Sequence, residues 1–361
     1  MDKFFKAIFL QFSGIVGAGI FALPFVLYNS NFYFSSSLLI STAIVMVLLN
    51  FFYISIISDT SGDHQLPGYA QIYLGPLPKI LSLLTLGFLC FGGLIAYTKL
   101  AATFLNQILP ALSVPVLALF FIILVGFFHL RKLNSCKSIF QLLPIINLFI
   151  ILILFLFSFN SSIPNLNLQT PQISYFGSII FALSGFTIIP ELEETLRYSQ
   201  KKKLLLHLAS LFGVLLAVIV YLIFSYSVIR VSGSGITSDA VVGVFKNNLV
   251  LGYFLIFFGL MTVFKAALNL IFVLKEIFFR DFKKSENISY TLSIVISFLV
   301  LFFINIPFIK IISFVGAIST LFSALIICLI YSKKAKSGLA NFVSIFILSA
   351  LLLGLILEKL H

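Results

Sequence analysis

The sequence predicts an all-α integral membrane protein of about 11 transmembrane helices, arranged as two inverted halves of five plus one, and three observations carry that prediction. The first is composition: of 361 residues, 61% are hydrophobic and 9% charged, with a mean hydropathy of +1.18, whereas a soluble domain carries about 25% charged residues. The second is spacing. Apolar runs of membrane-crossing length, roughly 17 to 25 residues, lie at 4–28, 32–57, 77–108, 113–130, 137–159, 174–198, 204–229, 248–279, 288–306, 308–331 and 338–357. The third is a matched pair of interruptions: Gly19 stands five positions before Pro24 in the first run, and Gly185 five before Pro190 in the sixth.

The first run contains SGIVGAGIFALPF from Ser13 to Phe25, with Gly14, Gly17, Gly19 and Pro24 inside it. Glycine exposes backbone and disfavours an uninterrupted helix. In hydrocarbon a freed N–H or C=O is tolerated only where it is buried in protein or lines a wet cavity. This run is therefore expected to break and to turn its backbone toward a ligand. Close helix packing through Gly14, Gly17 and Ala18 is the simpler alternative. Gly17 to Ala22 also fits a loose dinucleotide fingerprint, but that needs a strand, a turn and a helix in a soluble unit, which the apolar flanks exclude. The run is too long for a cleavable signal peptide, and Phe21 to Phe25 offers no small-residue cleavage site.

Between the second and third runs, Asp59, Asp63 and His64 read as a turn. The third run carries Tyr97 and Lys99. Five runs separate the first interruption from the sixth-run echo, and Phe4–Phe159 (156 residues) is nearly as long as Ser174–Tyr331 (158 residues). Because five is odd, the second half must enter the membrane from the opposite side. The chain then reads as a single transmembrane domain, 1–361, with repeats at 4–159 and 174–331 and an extra helix at 338–357. Broken helices at matching places in two inverted halves point to a midplane site, where half-helix N-termini face an anionic group and freed carbonyls a cation. An amino acid zwitterion suits such a site.

Charge sets the orientation. Of the 23 lysines and arginines, seventeen fall in alternate loops on one side, from Lys3 and Lys6 through Lys201, Lys202 and Lys203 to Lys336. Four, Arg230, Lys246, Lys310 and Lys359, fall on the other. By the positive-inside rule the N-terminus is cytoplasmic and, after eleven crossings, the C-terminus is outside, in the cell (plasma or inner) membrane. The +12 charge is topological and implies no nucleic acid partner. The remaining two, Lys99 and Lys265, lie at membrane depth, where a charge is costly and faces an interior or a wet path.

Cys90, Cys136 and Cys328 show neither disulfide nor zinc spacing, so no metal and no cofactor are expected. An intramembrane enzyme lacks residues: there is no HExxH and no paired intramembrane aspartate. His64, His129, His207 and His361 lie in or near loops or at the terminus. No catalytic residue is assigned.

Four motifs give a resemblance: GIVGAGIFALPF, DHQLPGYAQIYLG at Asp63–Gly75, FALSGFTIIPEL at Phe181–Leu192 and LKEIFFRDF at Leu274–Phe282. Together they resemble the amino acid–polyamine–organocation superfamily, whose architecture is the LeuT-type five-plus-five inverted repeat with discontinuous helices 1 and 6. Within it the chain looks most like the amino acid/auxin permeases and the bacterial aromatic amino acid permeases. The resemblance implies a secondary transporter of amino acids, neutral or aromatic, working by alternating access. A channel or a nontransporting sensor on the same fold is the alternative.

It also implies a site. The N–H groups of Gly17, Ala18 and Gly19 would hold the substrate carboxylate, at the positive end of the half-helix that follows. Carbonyls of Phe181, Ala182 and Ser184 would hold the ammonium. Ile20 and Gly185 belong to the same two breaks, Phe186 would be a lid or pocket wall, and Tyr97 would donate its hydroxyl to the carboxylate. Gln65 to Tyr69 would form an interfacial segment. Lys265 stands where sodium-coupled relatives place hydroxyl ligands, so it would replace sodium by hydrogen-bonding the carbonyls of Gly14 and Gly17. A carrier that is proton-coupled or ion-independent, rather than coupled to Na+, is then expected, with Glu191 as a candidate inner-gate carboxylate or as the partner of a cytoplasmic lysine. Glu193, Glu194 and Arg197 read as a solvated helix end.

Overall fold

A computed structural model describes residues 3–131, 137–159, 161, 173 and 175–360, and among them the chain is entirely helical, without strands. The helices are α1 (Lys3–Ile15), α2 (Gly19–Asn29), α3 (Phe32–Ser58), α4 (Leu66–Leu74), α5 (Pro76–Ile108), α6 (Val114–Leu130), α7 (Lys137–Ser158), α8 (Phe176–Ala182), α9 (Ile189–Leu196), α10 (Lys202–Ser232), α11 (Val241–Asn247), α12 (Leu249–Glu276), α13 (Glu286–Leu299), α14 (Phe308–Ala335) and α15 (Gly338–Leu360). Among the described residues eight spans are long and apolar enough to cross a membrane, or nine if the bent pair α1 and α2 is counted as one. The helix α6 and the Pro144–Ser158 part of α7 are shorter apolar helices. Cys90 and Cys328 are buried thiols, whereas Cys136 lies outside the described residues.

Local sequence explains the boundaries. Asn31 caps α3 by accepting from the Phe34 N–H at 3.3 Å, and Asn248 caps α12 through the Leu251 N–H at 3.1 Å. A short polar side chain there satisfies a donor the first turn leaves orphaned. Gly75, at φ +100°, makes the turn between the interfacial α4 and the long α5, whose first residue is Pro76. Proline fits a first helical position because its missing N–H would be unsatisfied there anyway.

The broken helices run through the centre. Phe21 on α2 sits among Phe104, Phe224 and Phe258, with ring centroids 5.3, 5.8 and 5.5 Å away. Around them α8 and α14 approach backbone to backbone: a Cβ on Gly177 would strike the Ser313 carbonyl, and one on Gly316 the Gly177 carbonyl. Such close approach is how membrane helices gain packing without a hydrophobic drive between them. The outer faces of α6, α13 and α15 expose Phe120, Ile123, Val295, Phe342 and Ile345, the surface a lipid solvent accommodates.

Candidate functional site

The first break separates α1 from α2 by Val16, Gly17 and Ala18, and the axes differ by 61°. Among the described residues the N–H groups of Gly17 and Ala18 make no backbone hydrogen bond. They stand at the start of α2, the positive end of its dipole. Tyr97 reaches this turn from α5. Its hydroxyl lies 2.9 Å from where a Cβ on Gly17 would be, with the Ala266 methyl of α12 at 3.4 Å on another side. Gly19 is tighter, for its Cβ would stand 2.5 Å from the Ala182 Cα. The two breaks therefore touch, with Ile20 fully buried behind the contact.

The second break is more completely satisfied. After α8 the chain turns through Leu183 and Ser184 into a 3₁₀ turn, Gly185–Ile188, and Pro190 opens α9. The Gly185 N–H donates to the Leu183 carbonyl at 2.7 Å and the Ser184 N–H to the Phe181 carbonyl at 3.2 Å. The Ser184 hydroxyl donates to the Ile180 carbonyl at 2.8 Å and meets the Thr320 hydroxyl of α14 at 2.9 Å. Gln11 of α1 donates from Nε2 to the Gly185 carbonyl at 3.2 Å. Phe181 stands edge to face with Tyr97, centroids 6.4 Å apart, and Phe186 is fully buried. The Ala182 carbonyl, expected free for a ligand, accepts from the hydroxyl of Tyr221.

Gln11, Thr320 and Tyr221 are the residues that sequence reasoning missed. Gln11 had a signal, as a lone carboxamide in an apolar run three positions before Gly14. Tyr221 had none, being one of 13 tyrosines.

The coupling candidates are placed differently from expectation. Lys265 lies on α12, half-buried, and forms no hydrogen bond or ion pair among the described residues. It does not reach the carbonyls of Gly14 or Gly17. Successive residues on a helix are turned away from one another, and it is Ala266 that the register points at Gly17. Gly14 instead faces Ile188 of the second break. Glu191, in the first turn of α9, accepts from Gln65 Nε2 at 3.4 Å, while its Oε2 is buried with no partner. No lysine pairs with it among the described residues.

Over residues 1–356 the sequence matches the tryptophan/tyrosine permease family. The chain belongs to that family. Among solved structures it is similar to Mhp1, a nucleobase-cation-symport-1 family transporter in a closed conformation with bromovinylhydantoin bound, at TM-score 0.68 and 12% identity over 98% of this chain and 91% of that one. It is also similar to MhsT in complex with L-phenylalanine, at TM-score 0.66 and 14% identity over 98% of both chains. No curated protein matches by sequence. The fold is thus LeuT-type, and the permease is a multi-pass membrane protein and a secondary transporter of amino acids.

One end of the permease is closed by charge. Asp59, at the end of α3, holds Lys203 of α10 at 3.1 Å and Lys334 of α14 at 2.5 Å. Burial alone would raise the Asp59 carboxyl, but hydrogen bonds from those two ammonium groups outweigh it and hold the carboxyl below its ordinary value. Arg197 joins Asp63 at 2.5 Å to Glu193 at 2.9 Å, and Lys202 also meets Glu193. The carboxylates of Glu193 and then Asp63 push the Arg197 guanidinium further up. Arg280 pairs with Glu194 at 2.6 Å and with Glu276. Glu193 is therefore a buried hub, not part of a solvated helix end, because cations from two directions compensate it. Between these groups lies a polar cavity of about 450 Å³, lined by Thr60, Asp63, Tyr69, Glu193, Arg197 and Lys202. His129, expected beside a loop, is buried in the last turn of α6 against Ser293 Oγ at 3.1 Å. Among the described residues no three His, Cys, Asp or Glu side chains gather as a metal site.

Proposed function

We propose that the permease carries tryptophan or tyrosine across the cell membrane by alternating access, coupled to protons and independent of sodium. The observation that carries the reading is the turn at the start of α2, where the Gly17 N–H makes no backbone hydrogen bond among the described residues and the Ala18 N–H donates to the Tyr97 hydroxyl, in a chain of this family. Preorganised backbone donors at a helix N-terminus bind a carboxylate, and the phenol adds a further donor. The ammonium then faces the second break near Ser184, since Tyr221 already occupies the Ala182 carbonyl. Phe181 and Phe186 supply aromatic walls. A transporter of the same fold holds L-phenylalanine, which supports an aromatic side chain here.

Two uncompensated groups support proton coupling. Among the described residues Lys265 has no partner, and Glu191 keeps one buried oxygen unpaired. Inside a membrane such groups are costly and mark proton or ion paths. The ion-paired end is cytoplasmic in this reading, since it gathers the lysine-rich loops. The N-terminus is inside, and eleven crossings place the C-terminus outside. Residues 4–159 and 174–331 are the inverted repeats, 338–357 is an added helix, and the chain stands near the amino acid/auxin and aromatic amino acid permease branches. We assign no catalytic step, cofactor or metal.

Uptake of radiolabelled tyrosine and tryptophan into proteoliposomes tests this. An inwardly directed proton gradient should drive saturable accumulation with counterflow, and a sodium gradient should not. Sodium-driven uptake without a pH response would overturn the coupling, and transport of nucleobases alone would overturn the substrate.

A further inference from the structure

We propose that Tyr221 is a positioning residue whose hydroxyl ties the two helix breaks together and supplies, as a neutral donor, the positive pole that a bound metal cation would otherwise provide between them. The proposal deepens the transporter reading but stands on contacts that need no substrate. Tyr221 projects from the middle of α10 and is fully buried. Its hydroxyl lies 2.9 Å from the carbonyl oxygen of Ile15, the last residue of α1, and 2.7 Å from that of Ala182, the last residue of α8. No other side chain in the described residues touches both breaks by hydrogen bonds in this way.

The chemistry of that point is unusual. The last carbonyls of a helix have no partner within it and form the negative end of its dipole. Here two such ends converge on one fully buried hydroxyl oxygen. A phenol has a single proton, so the two carbonyls share one donor. Two converging carbonyl oxygens are the kind of ligand a hard cation takes, and here the phenol oxygen stands between them in the place of an ion. Tyr221 thus fixes the distance between Ile15 and Ala182 without an ion, next to the close approach of Gly19 to Ala182.

Two substitutions separate this role from simple packing, and both are read on substrate-free protein in nanodiscs. Tyr221→Phe keeps the ring and removes only the tether. Leaving two buried acceptors unpaired should raise hydrogen exchange by about tenfold or more in peptides covering both 14–20 and 181–188, with α13 unchanged. Tyr221→Ser opens the space and leaves three oxygens around it, so sodium, compared with choline, should raise its melting temperature while leaving wild type and Tyr221→Phe unmoved. A packing role alone creates no cation response. Unchanged exchange in Tyr221→Phe overturns the tether. Sodium stabilisation of the wild type, or its absence in Tyr221→Ser, overturns the cation-equivalent role. Failure of the wild type to carry tyrosine would strike the substrate reading and leave these results standing.

Discussion

The helix breaks and the ion-paired end of this permease hold their helices together with opposite chemistry. At the helix breaks the contacts are uncharged and mostly backbone: carbonyls of Ile15, Ala182 and Gly185 taken by a phenol and a carboxamide, and hydroxyls paired between Ser184 and Thr320. At the ion-paired end they are ion pairs between side chains, shared among Asp59, Asp63, Glu193, Arg197, Lys203 and Lys334. A charge is expensive in hydrocarbon, whereas a pair in partial contact with water is worth little by itself. The first set therefore has one geometry to keep, and the second is made of links that open one at a time. A site belongs where geometry is fixed, and a gate where links are cheap.

The largest effect should come from the helix breaks, where geometry leaves no slack. In Gly19→Ala the new Cβ would stand 2.5 Å from a backbone atom of Ala182, which cannot rotate away. Overpacking of a well-packed site costs about 1 to 3 kcal/mol, and collision with backbone belongs at the upper end. Gly19→Ala should lose monodisperse protein on size-exclusion chromatography, and a stable variant would show that the breaks do not touch. Gly17→Ala should behave differently, because its Cβ meets the Tyr97 hydroxyl, the end of a movable side chain, at 2.9 Å. We expect a folded protein whose affinity for tyrosine falls about tenfold, or about 1.4 kcal/mol. Adding Tyr97→Phe restores the room, so the double variant should lose less than the sum of the two single losses. Strict additivity would separate Tyr97 from the Gly17 turn.

Next in size is Arg197→Gln, which removes the cation shared by Asp63 and Glu193. Glu193 keeps Lys202, so the fold should survive while the ion-paired end opens more often. In a background lacking Cys90, Cys136 and Cys328, a cysteine at Ser184 should be alkylated from the ion-paired side about tenfold faster, as expected for losing roughly 1 to 2 kcal/mol from the closed state. An unchanged rate would remove Arg197 from the gate.

How far the sequence reached follows the same division. The broken helices were legible because glycine and proline act on their own backbone, and Gly17, Gly19, Gly185 and Pro190 punctuate whatever surrounds them. The contacts between the breaks were not. Tyr221 is 39 residues from Ala182 and 206 from Ile15, and one tyrosine in an apolar run carries no mark of where its hydroxyl ends. Lys265 shows the limit of reading depth without register: it stands on the right helix at the right height, and one residue of rotation gives the contact with Gly17 to Ala266. The charged end was misread at Glu193 because its partners Lys202 and Arg197 compensate it only after the chain folds back.

The smallest effect is at Asp59, and its sign with pH is what tests the view of the ionic end. Hydrogen bonds from Lys334 and Lys203 hold its carboxyl below the ordinary value against the opposing effect of burial. A carboxyl with a lowered folded value contributes stability that is present above its unfolded pKa, about 3.9, and lost as the pH falls below that through the folded value. The group is substantially exposed, at 42% for the side chain, so solvent and salt screen the pairs and the contribution stays within about 1 kcal/mol. The melting temperature of the wild type should exceed that of Asp59→Asn by a few degrees at most near pH 7 in low salt. The gap should close on acidification toward pH 3, and shrink in high salt at neutral pH. A gap that widens on acidification, or that ignores salt, would mean that Asp59 acts through packing, and the ion-paired end would then be as rigid as the helix breaks.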